Sequence, residues 1–407
     1  MRYRQLGKTG ITVSEIGLGT EHLSGQPAST YDEVFRCAVE RGLNYVDVLM
    51  PYAEYRDNIG RAIRGIRDRL VIAGHIGVSL EQGQSLKTRD VKACRAMFED
   101  LLTRLGTDGV DVVMLQWVDG AAEMAEALAP GGTLELAARL KREGKARAVG
   151  LSTHEPETAM AAAASGAVNL VMHPVNLTYS PQFASTANAV FGSADAATGK
   201  RAPIPLQGIL DVCRRQEVGL VGMKPFGGGA LFLRGRGRGE QERQKHGEGK
   251  GTGTGTGTGT DPAGRAPTPT QCLSFSLSHP EVSCALAGVR NVEQLKEDLH
   301  YLDAAADEKD FGAVLNSLGS SLASGCAYCN HCLPCPAELN VGETLRLLDM
   351  VEVLDAAQGG GFTLRGDYAS LPVKASACTA CGACSARCPF GVDVAAKMAR
   401  AVEVFER

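Results

Sequence analysis

The chain has 407 residues, of which 44% are hydrophobic and 22% charged, and its formal net charge is −4. This length allows more than one domain, and so small a charge does not indicate a nucleic-acid partner. The first seven residues lack the apolar stretch of a signal peptide, and no apolar run is long enough to span a bilayer. We therefore expect a cytoplasmic protein with no membrane partner.

Short apolar runs alternate eight times with amphipathic helical patterns before the C-terminal region. This alternation predicts an α/β protein with a closed parallel (β/α)8 TIM barrel. An open six-stranded sheet is the alternative, but no G-x-G-x-x-G follows the first strand, which disfavours a Rossmann domain. The predicted strands are 16–20, 45–49, 70–75, 110–116, 147–153, 170–176, 219–226 and 284–289.

Two of the predicted helices carry clear end signals. Thr30-Tyr-Asp-Glu33 matches a capping box and predicts a helix that starts there and stops before Gly42. Apolar residues recur at helical spacing from Val91 until Gly106 and predict a second helix.

One segment does not fit the barrel pattern. Residues 234–270 begin with alternating arginine and glycine, continue as a Gly-Thr repeat and end in prolines. Such a composition cannot bury enough apolar area to offset its ordering entropy, so we expect a disordered loop after the seventh strand. Its arginines could contact phosphate, and repeat expansion in a tolerant loop explains the segment equally well.

Eight of the 13 cysteines lie in two short runs near the C-terminus, and each run ends in Cys-Pro. The runs are Cys326-Ala-Tyr-Cys329-Asn-His-Cys332-Leu-Pro-Cys335-Pro336 and Cys378-Thr-Ala-Cys381-Gly-Ala-Cys384-Ser-Ala-Arg-Cys388-Pro389. Thiolates at this spacing can surround a compact inorganic cluster, and eight of them suffice for two 4Fe-4S clusters. Zinc bound by four cysteines is the alternative, although zinc ribbons use pairs spaced well apart.

The other cysteines lie within apolar patterns, where buried packing is expected rather than disulfides. They are Cys37, Cys94, Cys213, Cys272 and Cys284.

Several segments resemble those of the aldo-keto reductases, in the same order and at barrel spacing. They are the opening 3–20, Gly42-Leu-Asn-Tyr-Val-Asp47, Ala148-Val-Gly-Leu-Ser152, Met223-Lys-Pro-Phe-Gly-Gly-Gly229 and Gly288-Val-Arg-Asn-Val-Glu-Gln-Leu295. The whole chain resembles the iron-sulfur branch of that family, in which a small, mostly α ferredoxin-like domain follows the barrel. The resemblance implies a barrel over 1–305, with 234–270 as a loop insertion, and a ferredoxin-like 4Fe-4S domain over 306–407.

The resemblance also implies catalytic positions at the carboxyl ends of the strands. The family uses an aspartate, a tyrosine five residues later, a lysine and a histidine, and here Asp47 and Tyr52 keep the spacing. His75 stands near the lysine position and Gln116 at the histidine position. His75 could supply positive charge beside Tyr52, favoured by Asp47, or be the general acid itself, while Gln116 could donate a hydrogen bond to a carbonyl oxygen. The alternative is a vestigial site in which His75 and Gln116 are satisfied polar groups.

The family resemblance implies NADP or NAD as cofactor. Ser152 and Thr153 occupy the Ser-Asn position after strand five, and Met172 replaces the glutamine of strand six that holds the carboxamide. The phosphate end is represented by Lys224 in the glycine-rich turn, and by Arg290 and Asn291 before a helix.

Resemblance to two-cluster ferredoxins implies that the last cysteine of each run binds the other cluster. The implied ligand sets are Cys326, Cys329, Cys332 and Cys388 for one cluster, and Cys378, Cys381, Cys384 and Cys335 for the other. The first run is one residue shorter before its last cysteine, which departs from the ferredoxin spacing.

A metal site at the barrel mouth is a further possibility. His22, His75, His154 and His173 all fall near strand ends, where imidazoles can bind a divalent ion. The paired His-x-His of barrel hydrolases is missing, however, and single histidines near strand ends are often only hydrogen-bonded polar groups.

These features fit three functions. The first is a soluble oxidoreductase whose barrel binds a nicotinamide dinucleotide and a small carbonyl substrate while the clusters relay single electrons. Hydride transfer moves an electron pair, so a one-electron-capable partner such as a flavin, or a radical-tolerant substrate, has to join the two. The second is an electron-transfer protein whose altered barrel is a docking scaffold for a redox protein. The third is an ordinary reductase whose clusters only fix the fold of the C-terminal domain.

Overall fold

A computed structural model describes the chain over residues 1–81, 83–177, 206–233, 266–312, 314–315, 326, 332–355, 365, 368–369, 371–388 and 392–406. The chain divides into two compact units. The barrel unit comprises Met1–Pro225 and Pro269–Lys309, and the cysteine unit comprises Phe226–Thr268 and Asp310–Arg407. The boundaries implied by the family resemblance, 1–305 and 306–407, stay a prediction.

The strands in chain order are β1 (Tyr3–Gln5), β2 (Thr12–Ser14), β3 (Ile16–Gly19), β4 (Tyr45–Val48), β5 (Val71–Ile76), β6 (Val78–Glu81), β7 (Gln84–Lys87), β8 (Val110–Leu115), β9 (Ala146–Ser152), β10 (Leu170–Pro174), β11 (Gly219–Met223) and β12 (Val282–Gly288). The described helices are α1 (Ala28–Glu40), α2 (Ala53–Ala62), α3 (Val91–Leu105), α4 (Ala121–Leu128), α5 (Thr133–Arg142), α6 (Pro156–Ala164), α7 (Leu206–Gln216), α8 (Ala230–Leu233), α9 (Pro269–Leu277), α10 (Val292–Leu299), α11 (Val341–Asp355), α12 (Ala383–Arg387) and α13 (Val394–Phe405).

Eight parallel strands close into a barrel in the order β3-β4-β5-β8-β9-β10-β11-β12. Each corresponds to one of the predicted apolar runs, so the sequence prediction of a closed α/β barrel is confirmed. The barrel forms because these runs are buried along nearly their whole length, Arg147 in β9 being the exposed exception, as parallel strands covered by helices require.

Alternate residues of each strand point into the barrel, and those in its amino-terminal part are apolar. Tyr45, Ala73, Met114 and Met172 belong to this core cluster. By the same alternation, Asp47 in β4 and His75 in β5 also face inward, two positions nearer the carboxyl ends of their strands. The barrel interior therefore changes from apolar to polar toward its carboxyl end.

A β-hairpin closes the other end of the barrel. Strands β1 and β2 pair antiparallel, and Leu6, Ile11 and Val13 join the barrel core. Gly7 adopts φ +54°, and a Cβ atom there would meet the Gly219 amide nitrogen at 2.4 Å. Only glycine permits this approach, which seals the amino end and leaves the carboxyl end for a site.

The helix-end predictions succeed at one helix and fail at another. Helix α3 ends at Gly106 in the left-handed conformation with φ +64°, as predicted. Helix α1 begins at Ala28 after Pro27, so Thr30 lies inside the helix and the capping-box prediction is wrong. The N-cap side chain makes no hydrogen bond to the first turn, and the fixed φ of proline is compatible with the helix entrance.

The described part of the cysteine unit contains helices and no strand. Lys397 of α13 forms an ion pair with Asp349 of α11 at 2.5 Å, and the Tyr368 ring stacks on Phe405 with centroids 4.1 Å apart. Residues 234–265 of the predicted loop lie outside the described residues, and helix α9 begins at Pro269, so the last two residues predicted as loop are helical. No helix in the described ranges is long and apolar enough to cross a membrane.

Candidate active site

A buried carboxylate-imidazole pair lies at the carboxyl end of the barrel. Asp47 Oδ1 is 2.7 Å from His75 Nε2, and the two side chains are only 2% and 3% exposed. Register explains the contact, because Asp47 pairs with Ala73 in the adjacent strand and His75 stands two residues further on the same face. Thr20 Oγ1 donates to the Asp47 carbonyl at 2.5 Å and fixes the end of β4.

The contact determines which imidazole nitrogen can exchange a proton. A carboxylate can only accept, so Nε2 of His75 carries hydrogen and donates it to Asp47. Nδ1 of His75 is buried and has no hydrogen-bond partner among the described residues. Nδ1 is therefore the imidazole nitrogen left available to a ligand.

Gln116 lies beside this pair. It follows β8 directly, in which Met114 is the register partner of His75, so Gln116 lies diagonally across from the imidazole. Its side-chain oxygen Oε1 is buried and, within the described ranges, has no hydrogen-bond partner. Adjacent buried polar atoms without partners are costly unless a ligand or water satisfies them, which indicates a binding position.

Tyr52 is not part of the pair. It precedes helix α2 as its N-cap residue and, in the described part of the chain, makes no side-chain hydrogen bond to Asp47 or His75. Burial raises the pKa of Tyr52, and a hydrogen bond from the backbone of Ser85 partly offsets that rise. The structure thus brings together Asp47, His75 and Gln116, while Tyr52 packs toward the β6–β7 hairpin.

The predicted nicotinamide residues differ in their availability. Ser152 Oγ accepts a hydrogen bond from the Trp117 amide at 3.3 Å, whereas the Thr153 hydroxyl donates to Asp119 at 2.9 Å. Asp119 also accepts from the His154 amide at 2.7 Å and so ties the loop after β8 to the end of β9. The Thr153 hydroxyl thus donates within the protein, whereas the Ser152 oxygen accepts there.

The predicted phosphate residues lie at the ends of β11 and β12. Lys224 has φ +54°, and its carbonyl accepts a hydrogen bond from Asn176 Nδ2 at 3.0 Å. Asn291 caps helix α10 by accepting from the Gln294 amide at 2.9 Å, while the Arg290 amide donates to Gln294 Oε1. Lys224 and Arg290 are half-buried residues on the same barrel edge as Asp47.

The neighbouring residues Met172 and His173 of β10 point to opposite faces of the strand. Met172 points into the apolar barrel core and offers no hydrogen bond to a carboxamide. Burial lowers the pKa of His173 to about 3, partly offset by its hydrogen bond with the Thr153 carbonyl. This histidine is therefore a neutral structural group at physiological pH.

The histidines near the strand ends do not form one cluster. His75 contacts Asp47 and His154 contacts Asp119, the latter at 3.4 Å. Among the described residues, no group of three or more His, Cys, Asp or Glu side chains is arranged to hold a metal ion.

Comparison with known families identifies the barrel. The family model described as "Aldo/keto reductase family" matches residues 15–317, about three quarters of the chain. The chain belongs to the aldo/keto reductase family. This agrees with the barrel order and with the family that the sequence resemblance implied.

The chain matches curated relatives from the same family over only part of their length. Aldo-keto reductase YhdN of Bacillus subtilis is 27% identical over 186 residues, 44% of this chain and 54% of the relative. L-glyceraldehyde 3-phosphate reductase of Escherichia coli is 28% identical over 167 residues, 39% of this chain and 46% of the relative. The chain thus spans about half the length of the curated relatives it matches.

A solved structure shows the same fold. Aldo-keto reductase AKR11C1 from Bacillus halodurans, in its holo form, has a TM-score of 0.55 and 21% identity over 81% of this chain and 99% of that one. The family match ends at residue 317, so both cysteine runs lie beyond it.

Cysteines from both runs line one pocket in the cysteine unit of this aldo/keto reductase. Cys335 of the first run lies there with Cys378, Cys381 and Cys384 of the second, and the remaining lining includes the apolar residues Leu339, Val341, Val394 and Met398. Backbone amides donate to the sulfurs of Cys378 and Cys388, in each case at 3.4 Å. Cys329 lies outside the described residues.

Sequence reasoning missed several groups that shape these sites. Ser85 comes from the unpredicted β6–β7 hairpin, and its buried hydroxyl has no partner among the described residues. Asp119 carries no motif, although a carboxylate just after a strand end is a detectable signal. Arg387 lines the cysteine pocket and sits inside the second run, where cysteine spacing alone draws no attention to it.

Proposed function

We propose that this chain is an oxidoreductase that reduces a small carbonyl compound with NADPH or NADH at the barrel mouth. We further propose that a ferredoxin-like C-terminal domain, 306–407, carries two 4Fe-4S clusters that relay single electrons. The buried pair of Asp47 and His75, 2.7 Å apart, is the observation that carries the barrel half. A carboxylate and an imidazole are costly to bury at the end of an apolar barrel core, which supports a working rather than a vestigial site.

The proton for the carbonyl oxygen comes from Nδ1 of His75. Asp47 holds the imidazole through Nε2 and stabilises the imidazolium, as carboxylates do for catalytic histidines. Burial keeps water from competing for the same proton. Tyr52 is less suited to this role, because burial raises its pKa and its phenol contacts the Ser85 backbone instead of the pair.

The carbonyl group is oriented by Gln116. Its amide can donate to the substrate oxygen, and its buried side-chain oxygen gains a partner if the substrate carries a hydroxyl. Such a contact beside Nδ1 would hold the oxygen within reach of the proton.

The bound dinucleotide supplies the hydride. Ser152, Lys224 and Arg290 follow or end three barrel strands on one edge and are suited to its amide and phosphate groups. Lys224 is held in the left-handed conformation by Asn176, a local strain of the kind found at ligand sites. Thr153 and Asn291 are engaged with protein groups, so we assign them the role of positioning the neighbouring residues.

The cysteine pocket supports the cluster half of the proposal. Its four thiols are the second ligand set implied by the ferredoxin resemblance, Cys335 with Cys378, Cys381 and Cys384. In a 4Fe-4S cube each thiolate binds a different iron, so the ligands lie farther apart than those of a single ion. We assign the first set, Cys326, Cys329, Cys332 and Cys388, to the other cluster.

The two halves exchange different numbers of electrons. A hydride carries an electron pair, whereas a cluster passes one electron at a time. We therefore propose that a one-electron carrier, a redox protein or a flavin, works with this chain. A cytoplasmic location suits this assignment, since the described cysteines form no disulfide bond with one another.

An altered barrel favours a second candidate function, that of an electron-transfer protein whose barrel is a docking scaffold. Met172 offers no hydrogen bond to a carboxamide, and His75 stands near the expected lysine position. Orientation of a nicotinamide ring is thus weaker than in a complete family site.

Binding and turnover of the dinucleotide separate these functions. The full chain is purified anaerobically, its iron and sulfide are measured, and NADPH binding and carbonyl-dependent NADPH oxidation are followed. The proposal predicts iron with saturable NADPH binding and oxidation. Iron without any NADPH or NADH binding would favour the docking scaffold, and oxidation without iron would remove the cluster half alone.

A further inference from the structure

Arg387 connects the two cysteine runs. One terminal nitrogen of its guanidinium, Nη2, donates to the Cys332 carbonyl at 2.7 Å and to the Pro334 carbonyl at 2.5 Å. Both carbonyls belong to the first run, whereas Arg387 lies between Cys384 and Cys388 of the second. A single side chain therefore fixes the backbone of one run against the other.

The same side chain also lines the pocket that holds Cys335, Cys378, Cys381 and Cys384. Three of these thiols come from the second run, and only Cys335 must be brought in from the first. Pro334, which accepts from Arg387, immediately precedes Cys335. The position of Cys335 is thus coupled to the guanidinium through one residue of backbone.

Neighbouring contacts anchor Arg387 itself. The Cys388 amide donates to the Ser385 carbonyl at 3.1 Å, and Ser385 Oγ accepts from the Val394 amide at 3.0 Å at the start of α13. The short helix α12, which ends at Arg387, is thereby fixed to the start of helix α13. The guanidinium extends from a held backbone rather than from a free loop.

We propose that Arg387 is the positioning residue that completes the mixed cysteine site. Through Nη2 its guanidinium holds Cys335 beside the three thiols of the second run, and its permanent positive charge favours the reduced state of the group bound there. An arginine suits both tasks, because its planar donors can hold two carbonyls and its charge cannot be lost by deprotonation. The inference rests on the cluster half of the proposed function.

Charge and geometry act on different observables. Loss of the two Arg387 hydrogen bonds releases Cys335 and weakens the cluster that depends on it. The iron content then falls toward about half, because half the irons belong to each cluster. Loss of the charge makes reduction of that cluster harder, so its midpoint potential becomes more negative. Arg387 is exposed, so solvent screens its charge. Loss of its hydrogen bonds should therefore have a larger effect than loss of its charge.

The test uses the full chain purified anaerobically, with Arg387→Gln, Arg387→Lys and the control Arg400→Gln. Arg400 is an exposed arginine of the same unit whose guanidinium pairs with Glu403 on α13 at 3.0 Å. Iron per chain is measured first, and the midpoint potentials are then obtained by reductive titration followed by EPR. Trp117 fluorescence, from the one tryptophan of the sequence, checks that the barrel remains folded.

Arg387→Gln should lose up to about half the iron, or shift one of two potentials to more negative values. Arg387→Lys should fall between it and wild type, and Arg400→Gln should match wild type. Wild-type iron and potentials in Arg387→Gln would overturn the inference while leaving the clusters in place. If Arg387→Gln does not fold, Arg387→Lys decides alone, and its equality with wild type in both quantities overturns the inference. A wild-type chain without iron would overturn the inference together with the cluster proposal.

Discussion

At the scale of single residues, the proposed reduction depends on one proton at Nδ1 of His75. Asp47 occupies the other imidazole nitrogen, so the identity of the acid follows from a single contact. General acid catalysis typically contributes about 10²–10⁴-fold to a rate. Replacement of the imidazole by a group of similar size without an exchangeable proton should therefore remove that contribution.

We expect His75→Gln to lower kcat for carbonyl reduction about 10²–10⁴-fold, and Tyr52→Phe to lower it less than about tenfold. The measurement is steady-state NADPH oxidation at saturating substrate. His300→Gln is the control, because His300 is an exposed histidine paired with Glu308 outside the site. Normal turnover in His75→Gln with none in Tyr52→Phe would assign the proton to the tyrosine instead.

A second single-residue prediction concerns Asp298. It lies 4% exposed in α10, its Oδ2 has no partner in the described ranges, and burial raises its pKa well above the usual value. A raised acid pKa means that the folded state binds more protons than the unfolded state. Stability is therefore complete below the unfolded-state pKa near 4 and falls, by about 1.4 kcal/mol per pH unit, as pH rises toward the folded pKa.

Asp298→Asn should remove this loss, so its advantage over wild type grows from pH 4 upward. Urea unfolding followed by Trp117 fluorescence at several pH values measures it, with Glu293→Gln, an exposed carboxylate of the same helix, as control. A stability difference between Asp298→Asn and wild type that does not change with pH would show that the carboxyl is ionised in both states.

Sequence alone could place Asp47, His75 and Gln116 together, because all three stand at strand ends with the same inward parity. It could not place Tyr52, whose partner Ser85 comes from a hairpin that the apolar pattern does not announce. Pairing of short polar strands is decided by tertiary contacts rather than by local pattern.

At the scale of elements, the helix ends show how local signals can mislead. Thr30 and Glu33 have the spacing of a capping box, yet α1 starts at Ala28. Asp90 caps α3 by accepting from the Ala93 amide at 2.7 Å, although it lacks the box pattern. Competing start positions one turn apart differ by little in energy, so packing of the helix decides between them.

Removal of these two side chains should have different effects. Asp90→Ala should lower the unfolding free energy by about 1 kcal/mol, because the cap hydrogen bond is lost. Thr30→Ala should be neutral or slightly stabilising, because alanine has the higher helix propensity. Chemical denaturation of both variants measures the difference, and a larger loss for Thr30→Ala would restore the capping-box prediction.

At the scale of the whole molecule, the chain combines a family barrel with a cysteine unit whose residues 318–407 lie beyond the family match. The barrel was predictable because eight buried strands leave a repeated apolar pattern. The spacing of the cysteine runs indicates their chemistry, and the ferredoxin resemblance groups Cys335 with Cys378, Cys381 and Cys384, the four cysteines that line the pocket.

The central claim is that NADPH bound at the barrel and the clusters of the C-terminal domain exchange electrons within one protein. Anaerobic titration of the iron-loaded chain with NADPH, together with a sub-stoichiometric one-electron carrier and followed at the cluster absorbance band, tests it most directly. The account predicts that the cluster absorbance bleaches progressively as NADPH is consumed. Controls that omit NADPH should show no bleaching. Bound NADPH with clusters that stay fully oxidised but are bleached by dithionite would contradict the claim.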